Sequence, residues 1–287
     1  MMQREREREN SRVHRINYKM GFILSKILFM PPVNPGTPSI NSSFVRTASG
    51  VDIPIVNFDY PDAEYTIVFS HGNACNLYHI EDALKHFRNQ FRCSVIGYDY
   101  VGYGHSKYSE SVALNIVPYN VGGNSINSIT KPVASEAGCY ESIDAVFNFV
   151  TETLERPVEK QIWIGESLGS GPTVDLVQRI CVKGDKKVAA MILVNPFWSV
   201  TQVVSSILPW LIDMFPNGGK IGAIDVPVLI ISSEQDEVIP AVHRQWLHEK
   251  CQKSRLVKLP GARHNDAFID PVTYSEIVDF ITKEVKK

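Results

Sequence analysis

Gln161-Ile162-Trp163-Ile164-Gly165-Glu166-Ser167-Leu168-Gly169 joins an apolar run to a Gly-x-Ser-x-Gly frame. The run is β-branched and aromatic, the pattern of a buried strand. A helical pattern follows from Thr173 to Val182. Alone, a five-residue pattern is a weak signal. Between a strand and a helix it describes a sharp turn with a serine at its apex. Such a turn forces strained backbone angles on the serine. It also crowds the positions two residues to either side, which is why both are glycine. The hydroxyl is lifted clear of the sheet, at the positive end of the next helix.

Working outward, the same alternation repeats. Residues 65–70 (YTIVFS), 93–99 (CSVIGYD), 188–195 (VAAMILVN), 227–232 (PVLIIS) and 255–259 (RLVKL) read as strands. Helices are expected through His86, from Gly138 to Leu154 with Ile143, Val146, Phe147 and Val150 on one face, and after Asp270-Pro271. Asp270 suits an N-cap and Pro271 the first helical position. Residues 41–58 read as a hairpin turning near Ser49-Gly50. Apolar strands alternating with helices imply a mostly parallel central sheet covered on both faces. With the serine turn, this is the α/β class and the α/β-hydrolase fold. The hydrolase domain is expected over residues 41–287. Residues 108–130, rich in Asn, Ser and Gly, read as a surface loop inserted in it.

Residues 1–40 precede that domain. Residues 1–12 alternate Arg and Glu as a polar tail. Residues 13–30 are apolar with Arg15, Lys19 and Lys26 interspersed, and too short to span a bilayer. Two readings stay open for them: a helix packed on the domain, or an interfacial helix in peripheral contact with a membrane. Pro31, Pro32 and Pro35 end any helix there. The composition excludes other classes. The net charge of −2 over 287 residues lacks the basic excess of a nucleic-acid binder. The five cysteines, Cys75, Cys93, Cys139, Cys181 and Cys251, show no metal-ligand or CxxC spacing. They read as reduced thiols of a cytoplasmic protein, and no cofactor or metal is expected.

An alcohol attacks at neutral pH only with a base and an orienting acid beside it. In this fold the order along the chain is Ser, acid, His. The strand at 227–232 is followed by Ser233-Glu234-Gln235-Asp236-Glu237, and Asp236 is the expected acid, with Glu234 and Glu237 as competitors. The last strand is followed by Pro260-Gly261-Ala262-Arg263-His264-Asn265-Asp266, and His264 is the expected base. Asp266 is expected to cap the following helix. The oxyanion needs two backbone N–H donors. Leu168 supplies one, and the loop His71-Gly72-Asn73-Ala74 the other, with Asn73 ahead of Ala74. His71 precedes the serine and reads as a buried structural histidine. Residues 196–224 are rich in aromatic and aliphatic side chains. Phe197 and Trp198, with Leu208, Trp210, Leu211 and Phe215, are candidates to line an acyl pocket.

Taken together, HGNACNL (71–77), YDYVGYGHS (98–106), GESLGSGPTVDL (165–176), EQDEVIP (234–240) and GARHND (261–266) resemble the alpha/beta-hydrolase domain-containing protein 17 family. SKILFMPP (25–32) is similar to that family's entry into the domain, and the likeness runs over most of residues 22–282. It implies membrane-associated serine hydrolases that remove palmitate from protein cysteines, with Ser167, Asp236 and His264 as the triad. The implied partners are S-acylated proteins at the cytosolic face of membranes. Three features depart from the family. Its N-terminal cysteine cluster has no counterpart, since the first cysteine is Cys75. Residues 108–130 are an insertion, and Arg263 stands where a small residue is usual. Two other readings stand beside this one: a general esterase, lipase-like hydrolase or peptidase acting on small substrates, and an inactive hydrolase-fold binding protein.

Overall fold

The computed structural model describes residues 28–109, 131–204 and 213–286. The tail expected over residues 1–12, most of the segment 13–30, and nearly all of the insertion 108–130 lie outside the described residues. So do the pocket candidates Leu208, Trp210 and Leu211.

The alternation of apolar runs and helices assembles into one nine-stranded sheet. The strands are β1 (Ser42–Arg46), β2 (Val51–Phe58), β3 (Thr66–Ser70), β4 (Ser94–Tyr98), β5 (Lys107–Tyr108), β6 (Gln161–Glu166), β7 (Ala190–Val194), β8 (Val228–Ser233) and β9 (Ser254–Leu259). Their order is β1-β2-β4-β3-β6-β7-β8-β9, with β5 paired to β2. The hairpin β1–β2 is antiparallel, as is β2 on β4. From β4 to β9 every pairing is parallel. The main helices are α1 (Leu77–Phe91), α2 (Glu136–Asn148), α3 (Ser170–Lys183), α4 (Val242–Lys250) and α5 (Pro271–Phe280).

Strands β3, β4, β6, β7 and β8 of the parallel region are buried on both faces, so consecutive side chains enter different cores. In β6, Trp163 joins the layer formed by Ile143 and Val146 of α2, Val174 and Val177 of α3, and Leu247 of α4. Its neighbour Ile164 joins Leu84 and Phe87 of α1 and Ile277 and Phe280 of α5. Helix starts follow capping chemistry. Ser135 accepts the Gly138 N–H at 3.0 Å, and Asp270 accepts the Val272 N–H at 2.9 Å. α3 begins earlier than the apolar pattern indicates, because Pro172 lies in its first turn, where no N–H is required. The helix expected up to Leu154 instead widens into a π-type turn at Phe149–Thr153. Among the described residues no helix is long and apolar enough to cross a membrane.

The parallel register brings several strand ends to one edge. Ser70 is level with Gly165, Glu166 with Val194, and Ser233 with Leu259. The loops after β3, β6, β8 and β9 therefore open on the same side, outside the carboxyl ends of the strands. There the chain after β6 turns so tightly that Ser167 takes a φ of 49°. A Cβ on Gly169 would stand 2.1 Å from the carbonyl oxygen of Ser70, and one on Gly165 would stand 2.6 Å from that of Gly169. Both obstacles are backbone atoms of packed elements and cannot swing aside. Gly169→Ala is therefore expected to lower stability by about 3 kcal/mol. Gly219→Ala, where an added Cβ meets nothing within 4 Å, is expected to leave it unchanged. Urea unfolding midpoints of the two variants against the parent protein measure the difference.

Candidate active site

Three loops from three strands meet at this edge. Ser167 follows β6, Asp236 follows β8, and His264 follows β9. The Oγ of Ser167 lies 3.0 Å from Nε2 of His264, and Nδ1 of His264 lies 2.8 Å from Oδ2 of Asp236. A neutral imidazole serves both contacts when its proton is on Nδ1. It then donates to the carboxylate and accepts from the hydroxyl. The other carboxylate oxygen accepts the N–H groups of Val238 at 2.9 Å and Ile239 at 2.8 Å. Burial alone would raise the Asp236 pKa. The bonds from His264, Ile239 and Val238 outweigh it and hold the carboxyl below its usual range. Ser167 and His264 are each 9% exposed, enough to meet a substrate from the open side.

The competitors for the acid do other work. Glu234 accepts the hydroxyl of Ser232 at 2.7 Å. Glu237 accepts the backbone N–H of His264 at 3.2 Å, and Arg263 reaches Glu237 at 3.7 Å. Asp266 caps the His264 turn rather than the helix beyond it. It accepts the Arg263 N–H at 2.9 Å, because the chain turns at Arg263–Asp266 before α5 starts. His71 is fully buried, its Nδ1–H donating to the Gly72 carbonyl at 2.8 Å and its Nε2 3.3 Å from Asp99. Gly72 passes close to the serine: a Cβ built on it would be 3.7 Å from the Ser167 Cβ. Burial pushes the Glu166 pKa up, against the pull of His264, His71 and the nearby Gly72 backbone.

Two residues that the sequence pattern does not single out hold the loops in place. Asn195, at the end of β7, takes the Ser233 N–H on its carbonyl at 2.8 Å and donates to the His264 carbonyl at 2.8 Å. One side chain thus ties the acid's strand to the base's loop. Its signal was a lone amide closing an apolar strand. Arg244 of α4 is fully buried behind Asp236. Its guanidinium donates to Ser232 Oγ at 3.1 Å, to the carbonyl of Ser233 at 2.7 Å and to that of Ile239 at 2.5 Å, and it lies 3.3 Å from Asp236 Oδ2. The fork therefore joins both ends of the acid loop. Nothing in the local pattern of a polar helix distinguishes this arginine from a solvated one.

A cavity of about 430 Å³ opens beside Ser167. Glu166, Asn73, His264 and Asn265 line it, together with an apolar set that includes Phe29, Phe197, Val203, Met214 and Phe215. Phe197 is among its lining residues. Trp198 is not: its ring packs over Gly218 and edge-on to Trp246, on the far side of its own backbone. The Trp198 N–H donates to Nδ1 of His243 at 3.1 Å, and burial and the nearby Arg244 push the His243 pKa down to about 4. His243 therefore stays neutral and keeps accepting that bond.

Replacing Arg244 with Met strands the carbonyls of Ser233 and Ile239 and removes the charge facing Asp236. Arg244→Met is expected to cost about 3 kcal/mol, with Arg244→Lys losing less because it keeps the charge. Thermal denaturation of both variants measures this.

No family model matches the chain. Among curated proteins, it is similar to an alpha/beta hydrolase of Acanthamoeba polyphaga mimivirus, 31% identical over 271 residues, or 90% of this chain and 92% of the relative. It is 32% identical over 228 residues to alpha/beta hydrolase domain-containing protein 17B of Xenopus tropicalis, or 78% of this chain and 69% of the relative. The Homo sapiens protein 17B is 31% identical over the same shares. Among solved structures, the Pyrococcus furiosus esterase Pf2001 superposes with a TM-score of 0.63 at 13% identity, covering 90% of this chain and 98% of the esterase. A CIB-like hydrolase of Thermoplasma acidophilum superposes at 0.57 with 18% identity, covering 85% and 99%. These two likenesses speak to the α/β-hydrolase fold. Family membership rests on the identity and coverage shared with the 17B proteins, and on that ground the chain belongs to the alpha/beta-hydrolase domain-containing protein 17 family.

Proposed function

We propose that this hydrolase cleaves acyl thioesters through Ser167, His264 and Asp236, removing palmitate from S-acylated proteins. The observation that carries the proposal is the hydrogen-bonded chain Ser167–His264–Asp236, with contacts of 3.0 and 2.8 Å, opening on an apolar cavity. An apolar cavity with a few convergent polar groups at its mouth suits a fatty acyl chain better than a peptide.

The reaction divides into two acyl transfers. His264 takes the Ser167 proton as the oxygen bonds to the thioester carbonyl carbon. The N–H groups of Leu168 and Asn73 receive the negative charge that collects on the carbonyl oxygen. Collapse breaks the carbon–sulfur bond, and the imidazolium returns its proton to the departing thiol. Water then attacks the acyl-serine, with His264 taking its proton. The acyl–oxygen bond breaks, Ser167 regains a proton, and the fatty acid leaves. Asp236 stays ionised throughout and stabilises the imidazolium. Glu166 stands beside Gly72, in the loop that carries the Asn73 donor.

The Phe29-Met30 end of the segment 13–30 stands at this cavity, so a peripheral membrane contact through that segment would hold the cavity near the lipid surface. A protein acting at the cytosolic face would thereby bring its pocket to its lipidated substrates.

The parent protein is expected to label with a fluorophosphonate probe and Ser167→Ala to remain unlabelled while melting at the parent temperature. Equal labelling would remove Ser167 from its role, and an unlabelled parent would favour an inactive binding protein. In a series of acetyl to palmitoyl thioesters, kcat/KM is expected to rise with chain length. A preference for short esters would point instead to a general esterase. In liposome sedimentation, the full chain is expected to pellet and a chain lacking residues 1–30 to stay in the supernatant. Identical partitioning would count against the membrane contact.

A further inference from the structure

The side chain of Asn73 is bonded in a way its backbone role does not require. Its Nδ2 donates to the carbonyl of Leu28 at 2.6 Å, and its Oδ1 accepts the N–H of Met30 at 3.0 Å. Donating to one residue's carbonyl and accepting from the N–H two positions on is the pattern a neighbouring parallel strand presents. The amide therefore pairs with the segment 28–30 as a one-residue strand would, centred on Phe29. The hydroxyl of Tyr103 donates to the same Oδ1 at 2.8 Å and steadies the amide from behind.

Phe29 is placed by this pairing. It is 5% exposed, and its ring meets that of Phe215 edge-on at 6.2 Å. Phe215 in turn meets Phe197 at 6.2 Å. The three rings form one apolar wall of the cavity beside Ser167. Phe215 is wedged against α3, in the space a Cβ on Gly171 would need. It has no freedom to adapt. Phe29 belongs to a segment ahead of the sheet, and among the described residues the backbone groups on either side of it are held by the Asn73 amide.

We infer that Phe29, positioned by the Asn73 side-chain amide, is a specificity-determining residue that limits the length of acyl chain the cavity accepts. The inference rests on the acyl-hydrolase reading of the site. It adds a consequence for Asn73, whose amide sets the chain-length wall while its backbone belongs to the oxyanion loop. Docking of the 28–30 segment and the geometry of that loop then depend on the same residue.

The test is a binding measurement that needs no turnover. Saturated fatty acids from octanoate through palmitate to docosanoate are titrated calorimetrically into full-length Ser167→Ala, alone and combined with Phe29→Ala, Phe29→Leu, Phe29→Trp or Asn73→Asp. Phe29→Trp is expected to weaken palmitate binding about tenfold, with a smaller effect on octanoate. Phe29→Ala, or Phe29→Leu should the alanine variant not fold, is expected to move the affinity maximum toward longer chains. Asn73→Asp can still accept from Met30 but cannot donate to Leu28, so it is expected to follow Phe29→Ala. Affinity profiles that superimpose on that of Ser167→Ala alone would overturn the inference, as would a Ser167→Ala protein that binds none of the acids. Neither result depends on whether the active enzyme hydrolyses thioesters, so the two proposals fail separately.

Discussion

The site depends on how closely the first turn of α3 approaches the end of β3. Gly169 lies against the carbonyl of Ser70, with no room for a Cβ between them. That contact sets the angle at which the chain leaves β6, and the angle holds Ser167 at a positive φ. A β-carbon at Gly169 would push α3 outward and relax the turn. Buried polar groups brace the contact from below. Thr173 donates to Ser70 Oγ at 3.2 Å, Ser70 pairs with the Tyr98 hydroxyl at 2.7 Å, and Ser170 donates to the carbonyl of Ser167 at 2.6 Å. Inside the protein such a chain of satisfied bonds is stiff, and leaving any member unpaired is costly. The strain at the serine is held by the packing around it.

The acid side of the site relies on charge rather than on close packing. Asp236 is buried, yet two backbone N–H groups, the imidazole and a buried arginine face it. A carboxylate so provided for stays ionised and keeps His264 in one orientation. Arg244 also joins the two ends of the loop that carries the acid, so a change in loop shape and a change in charge are coupled there. The base is held differently, through Asn195 on its carbonyl and Glu237 on its N–H. Each catalytic candidate thus has its own support from a different part of the chain.

Two kinds of evidence bear on what the site acts on. Family membership comes from identity shared over most of the chain. The character of the cavity comes from aromatic and aliphatic residues distant in sequence, Phe29 near one end and Phe215 beyond the middle. The solved esterases share the fold at low identity and leave substrate class open, since one fold hosts many chemistries. In an acyl hydrolase, it is the wall of such a cavity, rather than the reacting groups, that separates a long acyl chain from a short one.

The sequence by itself determined the main alternation of strands and helices, the serine turn, and the loops that bring an acid and a histidine to it, but not the short β5 or the polar helix α4. Those features are local: continuous apolar runs, glycines flanking a turn, an Asp-Pro helix start, and polar loops after strands each carry their signal within a few residues. Only the tertiary structure decided that Arg244 lies behind Asp236, that Asn195 bridges two loops, that Trp198 turns away from the cavity while Phe197 faces it, and that Asn73 grips the segment ahead of the domain. Adjacent residues such as Phe197 and Trp198 share a composition and differ only in which side of the backbone they leave from. An arginine on a polar helix gives no sign of burial until the loop it satisfies is folded over it. Hydrophobic periodicity specifies which face is apolar. It does not specify which distant backbone carbonyl a polar side chain will meet, because that partner is set by how the elements pack.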